Sequence, residues 1–441
     1  MNNFRRDWLF PSIALVIFVI LLAAFLWDVA SLNMMQIIAY SSGLLAYAFL
    51  LTVAFIGVRP RFFEKRIGLS HMYQIQALMS LIISLSAIIH VGVQWKLRSV
   101  ADSLTVFSQV SYIAVLVLAI AVLLGLVFLS GLFMDVGPKL KSIQGRIYNR
   151  NIGEWLHRLS VLLILLAYVA ILASNTIPTN AVFIMFLSLF TFGFLMYYAY
   201  RQVKLYQTPK YKLVSKESLS PTLSVIEVTP TTGEIPDYTA GDYFFIRLHD
   251  HKFITEGHPF SASSARTKRY PNSIEFMIQA TDAWTERLTA LPEGSEIVLE
   301  GPYGTFFPET AQKSNLPYVF ICDEAGFAAC LSVLRFEHER GSQREMHLIW
   351  KVSHKKDTPL LSELSEMKAQ NPYLHYYRLV SDETKLGAVS DELMRKLQLN
   401  LLYDQAYFFV SGLPAVSLTA QHMLAYAQVK EERINCNTFD F

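Results

Sequence analysis

Several short runs in this chain carry residue types and spacings able to do chemistry. His258-Pro259-Phe260-Ser261 sets an imidazole, a flat apolar ring and a hydroxyl close together. Such a run can give a planar ligand a wall and a polar contact at its edge. Gly301-Pro302-Tyr303-Gly304 is a second compact run of turn residues and one aromatic. A helix is expected to open near Trp284-Thr285, and the free N–H groups of a helix start suit a phosphate. Cys322-Asp-Glu-Ala-Gly-Phe-Ala-Ala-Cys330 keeps one glycine, Gly326, behind an apolar run, and Ser411-Gly412-Leu413-Pro414 lies further on. His90 and His157 fall inside apolar stretches, where an ionisable side chain marks a functional candidate. Both lie near stretch ends, by Trp95 and Trp155, so they also read as ordinary interfacial histidines. The three cysteines show no C-x-x-C or zinc spacing, which argues against a metal site or disulfide framework.

These residues must be positioned by two unlike halves. The first 200 residues hold six apolar stretches: Leu9–Trp27, Met34–Val58, Met72–Trp95, Val106–Phe133, Leu156–Ser174 and Ala181–Tyr200. Each reaches about 20 residues or more, the length that crosses a hydrocarbon core as a helix. Over all 441 residues, 53% are hydrophobic and 17% charged, too oily for an ordinary soluble enzyme. A net charge of +2 lacks the dense basic face that nucleic acid would require. Twelve Lys and Arg residues flank one set of stretch ends (Arg5, Arg6, Arg59, Arg61, Lys65, Arg66, Lys139, Lys141, Arg146, Arg150, Arg201, Lys204), against Lys96 and Arg98 on the other. By the positive-inside rule both termini are expected in the cytoplasm, with the first stretch a retained anchor in a multi-pass cell-membrane protein.

From Gln202 onward the pattern changes. Leu223–Val228, Tyr243–Arg247, Ile274–Ile278 and Glu296–Leu299 alternate as strands, separated by turns such as Ala240-Gly241-Asp242 and Pro292-Glu293-Gly294. Short strands at this spacing predict an antiparallel barrel. From Pro317 the rhythm becomes strand and helix: Tyr318–Cys322, Phe327–Glu339, His347–Trp350, a helix around Leu360–Lys368, then Leu374–Leu379 and Tyr407–Val410. That pattern predicts an α/β domain on a parallel sheet.

With this domain order, His258–Ser261 and Gly301–Gly304 resemble the flavin motifs of ferredoxin-reductase-type domains, most of all those of the ferric reductase and NADPH oxidase superfamily. Phe439-Asp440-Phe441 is similar to that family's aromatic C-terminus. The resemblance implies a six-helix transmembrane domain over 1–204, an FAD-binding β-barrel over 205–312 and an NAD(P)-binding-like α/β domain over 313–441. It implies that His258, Pro259, Phe260, Ser261, Gly301, Tyr303 and Gly304 line FAD, with Trp284 and Thr285 near its diphosphate. Gly326, Gly412 and Pro414 would meet the nicotinamide nucleotide. Ser411 stands where relatives hold a cysteine beside the nicotinamide, and Phe441 would stack on the isoalloxazine. Departures are concentrated at the nucleotide turn, where Glu324 replaces a glycine and Ala329 a proline. A carboxylate at Asp323 or Glu324 would repel a diphosphate, so an impaired nicotinamide site is expected.

Relatives hold two haems between histidine pairs on the third and fifth spans. The matching pairs here are Gln76–His157 and His90–Ala170, each missing one ligand, so a bis-histidine haem pair is not expected. The resemblance then implies a membrane-anchored flavin-dependent oxidoreductase passing electrons from NADH or NADPH through FAD to oxygen, a quinone or a carrier. Two alternatives remain: a non-catalytic flavin-binding or partner-binding pseudoenzyme, and electron transfer through one unusual haem.

Overall fold

The computed structural model describes residues 8–27, 32–97, 150–172, 180–250, 253–254, 257–352, 360–380 and 389–438. The chain divides into two compact units, Met1–Leu205 and Tyr206–Phe441. In the first unit, described helices run over Leu9–Leu26 (α1), Met34–Gly57 (α2), Leu69–Leu97 (α3), Arg150–Leu172 (α4) and Ala181–Tyr206 (α5), with a short helix at Arg61–Ile67. Among the described residues, four segments are long and apolar enough to cross a membrane: Leu9–Leu26, Met34–Gly57, Gln74–Leu97 and Ala181–Tyr206. The apolar part of α4, Leu159–Leu172, is shorter, and the stretch expected over Val106–Phe133 lies outside the described residues.

Helix starts and packing in this unit have local causes. Asn33 caps α2: its side chain accepts the Gln36 N–H at 2.9 Å, and the Gln36 side chain accepts the Asn33 N–H at 3.0 Å. Phe10, Phe25, Met79, Ile164, Phe183 and Leu187 fill the interior. Several buried polar groups there pair with one another or with backbone. Tyr47 Oη and Thr191 Oγ1 are 2.7 Å apart, and Asn180 Nδ2 donates to Ala24 O at 2.7 Å.

The second unit opens with an antiparallel sheet of β1 (Lys210–Ser218), β2 (Leu223–Pro230), β3 (Tyr243–Asp250), β4 (Phe253–Ile254), β5 (His258–Ser261), β6 (Ile274–Gln279) and β7 (Glu296–Tyr303). Its order is β4-β3-β7-β1-β2-β6, with β5 paired to β3. Alternate residues of β2 face inward and join Phe244, Ile246 and Phe276 in one core. Helix α6 (Ala283–Ala290) follows β6. It opens two residues before the expected Thr285, because Asp282 supplies the N-cap.

Behind it come β8 (Tyr318–Cys322), α7 (Phe327–Glu339), β9 (Met346–Val352), α8 (Leu361–Gln370), β10 (Leu374–Val380), β11 (Tyr407–Gly412), α9 (Pro414–Tyr426) and β12 (Ile434–Thr438). These strands form one parallel sheet, β10-β9-β8-β11-β12. All five residues of β8 are buried, which explains its continuous apolar run. β12 was not expected from its polar sequence, Ile-Asn-Cys-Asn-Thr; backbone pairing with β11 at the sheet edge makes it a strand. A buried ion cluster ties barrel to sheet domain. Arg335 of α7 donates to Glu363 of α8 at 2.7 and 2.9 Å and pairs with Glu275 of β6. Burial alone would raise the Glu275 carboxyl, but Arg335, with donors from Ser263 and Tyr270, holds it below the usual range.

Candidate functional site

Pairing of β5 with β3 aligns Ser261 with Tyr243 and Phe260 with Phe244, carrying the His-Pro-Phe-Ser run along the barrel. The Trp284 ring at the start of α6 stacks nearly parallel on His258, with centroids 3.8 Å apart and 10° between planes. It also stacks with the half-buried Phe260 at 5.9 Å and 15°. Pro259 is buried between these ring-bearing neighbours in β5. Two buried polar atoms at this place, Ser261 Oγ and Trp284 Nε1, have no hydrogen-bond partner. Buried donors are normally satisfied, so a planar ligand with polar edge atoms suits this aromatic layer. The residues present therefore fit a flavin.

The start of α6 is already partly occupied. The Asp282 carboxylate accepts the Thr285 N–H at 2.7 Å, while Thr285 Oγ1 accepts the N–H groups of Thr281 and Asp282 at 3.0 and 3.1 Å. Burial would raise the Asp282 carboxyl, but these bonds and the nearby His258 hold it below the usual range. Thr285 thus serves the cap instead of offering its hydroxyl to a diphosphate. The Asp-x-x-Thr spacing ahead of the helix was the signal that could have found this.

The Gly301–Gly304 run ends β7, where Tyr303 pairs with Tyr243 of β3. Tyr303 is fully buried, donates to Glu300 Oε1 at 2.7 Å and stacks on Tyr243. A Cβ at Gly301 would lie 2.6 Å from the Phe244 ring, and Gly304 holds a φ of +111°. Gly301 and Tyr303 are closely packed inside the sheet.

In the α/β domain, β8 and β11 end side by side, and the turns leaving them touch. A Cβ on Gly326 would lie 2.0 Å from Ser411 O, and one on Gly412 would lie 2.5 Å from Asp323 Oδ1. At both glycines the space that a Cβ would take is filled by the protein itself. Asp323 Oδ1 accepts the Gly326 N–H at 3.0 Å and Oδ2 accepts the Leu413 N–H at 2.8 Å. Pro414 occupies the first turn of α9, where its missing N–H is harmless. Ser411 is fully buried and its Oγ has no partner. Beside this turn, Phe327 and Trp350 stack at 3.9 Å and 8°. Glu324 is half-buried, so the carboxylate at the heart of the turn is Asp323.

His90 is a link between helices. Its Nδ1 lies 2.6 Å from Ala39 O of α2, and a Cβ on Gly43 would meet that ring at 2.7 Å. Fourteen residues earlier on α3, Gln76 Nε2 donates to Val53 O of α2 at 3.0 Å. Both α3 positions named in the haem pairs thus bear on carbonyls of α2. His157 lies on α4, but its side chain is outside the described residues, as is Phe441.

Residues 215–306 match the FAD-binding domain family. The chain is 25% identical over 246 residues to the reductase component of a propane 2-monooxygenase from Gordonia sp. (strain TY-5), covering 52% of this chain and 68% of that protein. Against the counterpart from Rhodococcus jostii (strain RHA1) it is 35% identical over 119 residues, 26% of this chain and 30% of the relative. The fold is similar to that of flavohemoglobin from Malassezia yamatoensis with bound FAD and haem, at a TM-score of 0.50 and 14% identity, over 92% of this chain and 96% of that one. The second unit therefore has a flavin-reductase fold in which residues 215–306 match an FAD-binding domain, and the relatives named here are reductases.

Proposed function

We propose that the chain is a membrane-anchored, FAD-dependent oxidoreductase that draws on NAD(P)H and delivers electrons to an acceptor such as oxygen, a quinone or a protein carrier. The observation that carries this reading is the pair of unpartnered buried atoms, Ser261 Oγ and Trp284 Nε1, beside the aromatic layer within residues 215–306. When bound, FAD supplies hydride acceptance and onward release of electrons singly or in pairs. The chain's part is to hold and orient it. Phe260, Trp284 and His258 give the flat wall, Ser261 Oγ a hydrogen bond to its edge, and the buried barrel strands exclude water. The reductase components among its relatives support a partner that receives electrons. The six-span arrangement, cytoplasmic termini and kinship with ferric reductases and NADPH oxidases belong to the same proposal, supported by the apolar helices and the Lys/Arg asymmetry.

Flavin content of the purified full-length protein, followed by its bleaching under NADH and NADPH in stopped flow, tests the proposal. A flavin-free protein that ignores added FAD would end it. A second reading, a non-catalytic flavin-binding protein, is favoured by the Asp323 carboxylate in the nucleotide turn. Bound flavin that no nicotinamide nucleotide bleaches would support that alternative.

A further inference from the structure

Asp323 is unusual in what it bridges. Gly326 is the N-cap of α7 and Leu413 the N-cap of α9, so one carboxylate holds a backbone N–H at the start of each of two helices. Both helices leave the carboxyl ends of adjacent parallel strands, β8 and β11. That edge is where open α/β sheets take their ligands, with free N–H groups at a helix start receiving phosphate. Here the N–H groups are held by an internal anion that is 8% exposed and sits against Gly412 where a side chain would be. The neighbouring Ser411, whose backbone packs against Gly326, carries a buried Oγ without a partner.

We propose that the Asp323 carboxylate is a built-in substitute for a diphosphate: it occupies the amides on which a dinucleotide would sit and sets how weakly this domain takes one. The inference rests on reading the α/β domain as a nicotinamide-nucleotide site. A diphosphate entering the turn must displace the carboxylate from the N–H groups it holds or lie beside it with like charge. Either route lowers affinity for any ligand bearing a diphosphate while leaving a neutral nucleoside indifferent. Glu324, which the sequence marked first, is half-buried outside this bridge and has the lesser effect.

The test uses full-length, flavin-loaded protein in detergent, with ADP-ribose as a redox-inert diphosphate probe and adenosine as a diphosphate-free one, both by calorimetry. Asp323→Asn and Asp323→Gly are expected to tighten ADP-ribose binding by about tenfold or more, since a like charge close by is removed from a poorly screened site. Adenosine binding should not change, and Glu324→Gly should gain less than either Asp323 variant. Flavin absorbance and the melting temperature report whether each variant is folded. Equal ADP-ribose affinity in wild type and both Asp323 variants would overturn the proposal alone, as would a larger gain from Glu324→Gly. No binding of ADP-ribose by any of the proteins would overturn it together with the nucleotide reading. A check without variants is amide exchange in the ligand-free wild type: Gly326 and Leu413 should be protected, and rapid exchange at both would refute the bridge.

Discussion

At the scale of single residues, Gly326 has no space for a side chain, because a Cβ would lie 2.0 Å from Ser411 O and 2.5 Å from Gly412 N. Those are backbone atoms, so relief requires moving β11 or α7. Gly326→Ala should destabilise the chain by roughly 1–3 kcal/mol, the range of core overpacking, measurable as a lower melting temperature of the full-length protein. Ser261 behaves in the opposite way. Its hydroxyl is buried and unpartnered, so Ser261→Ala should make the flavin-free protein no less stable. Flavin affinity should nevertheless fall by about threefold to tenfold, the worth of one hydrogen bond of ~0.5–1.5 kcal/mol. Titrating apoprotein with FAD while following flavin fluorescence separates the two effects; unchanged affinity would assign Ser261 to packing.

Between elements, one cation organises the join of barrel and sheet domain. Arg335 pairs with Glu275 of β6 and Glu363 of α8 and also donates to Ser263 O at 3.0 Å. Removing it leaves the buried Glu275 without a cation and Glu363 with Arg269 at 3.6 Å, so Arg335→Ala should destabilise by about 3–5 kcal/mol, read from denaturant unfolding. The pH dependence follows from Glu275, whose native pKa is lowered below its unfolded value. Its contribution is therefore complete above the usual carboxylate range and is lost as pH falls through the lowered native value. Stability should drop on the acid side in wild type, and Glu275→Gln should flatten that slope. Asp323 acts with the other sign: burial raises its carboxyl, against hydrogen bonds from Leu413, Gly326 and Ala325. Its contribution is present below the usual range and is lost as pH rises through its native value. Measuring both variants separates the two slopes.

For the whole molecule, the chain divides between Leu205 and Tyr206 into two units, the first of which carries the long apolar helices. Exposed side chains of the first unit include Val16, Val19, Leu85, Leu189 and Met196, a surface that suits lipid better than water. The chain should stay with membranes after alkaline washing. Reporters fused to either terminus should both be active in the cytoplasm, as the Lys/Arg distribution requires. A reporter pair found on opposite sides would leave an odd number of spans and contradict the six-span reading.

Much of this architecture was legible in the sequence because its causes are local. Period-two alternation marked β2, β3, β6 and β7, the buried apolar run marked β8, and α7 was expected over the same residues it occupies. The Asp282 cap was also within reach, since its partner lies three residues away. Tertiary structure alone decided which groups are already taken. Asp323 meets Leu413 across ninety positions, His90 meets Ala39 across fifty-one, and Arg335 meets Glu275 across sixty. A motif fixes the type and spacing of its residues, but their free valences depend on neighbours brought by other elements. That is why the space beside Gly326 and Gly412 is filled from within, while Ser261 and Ser411 keep buried hydroxyls with no partner of their own.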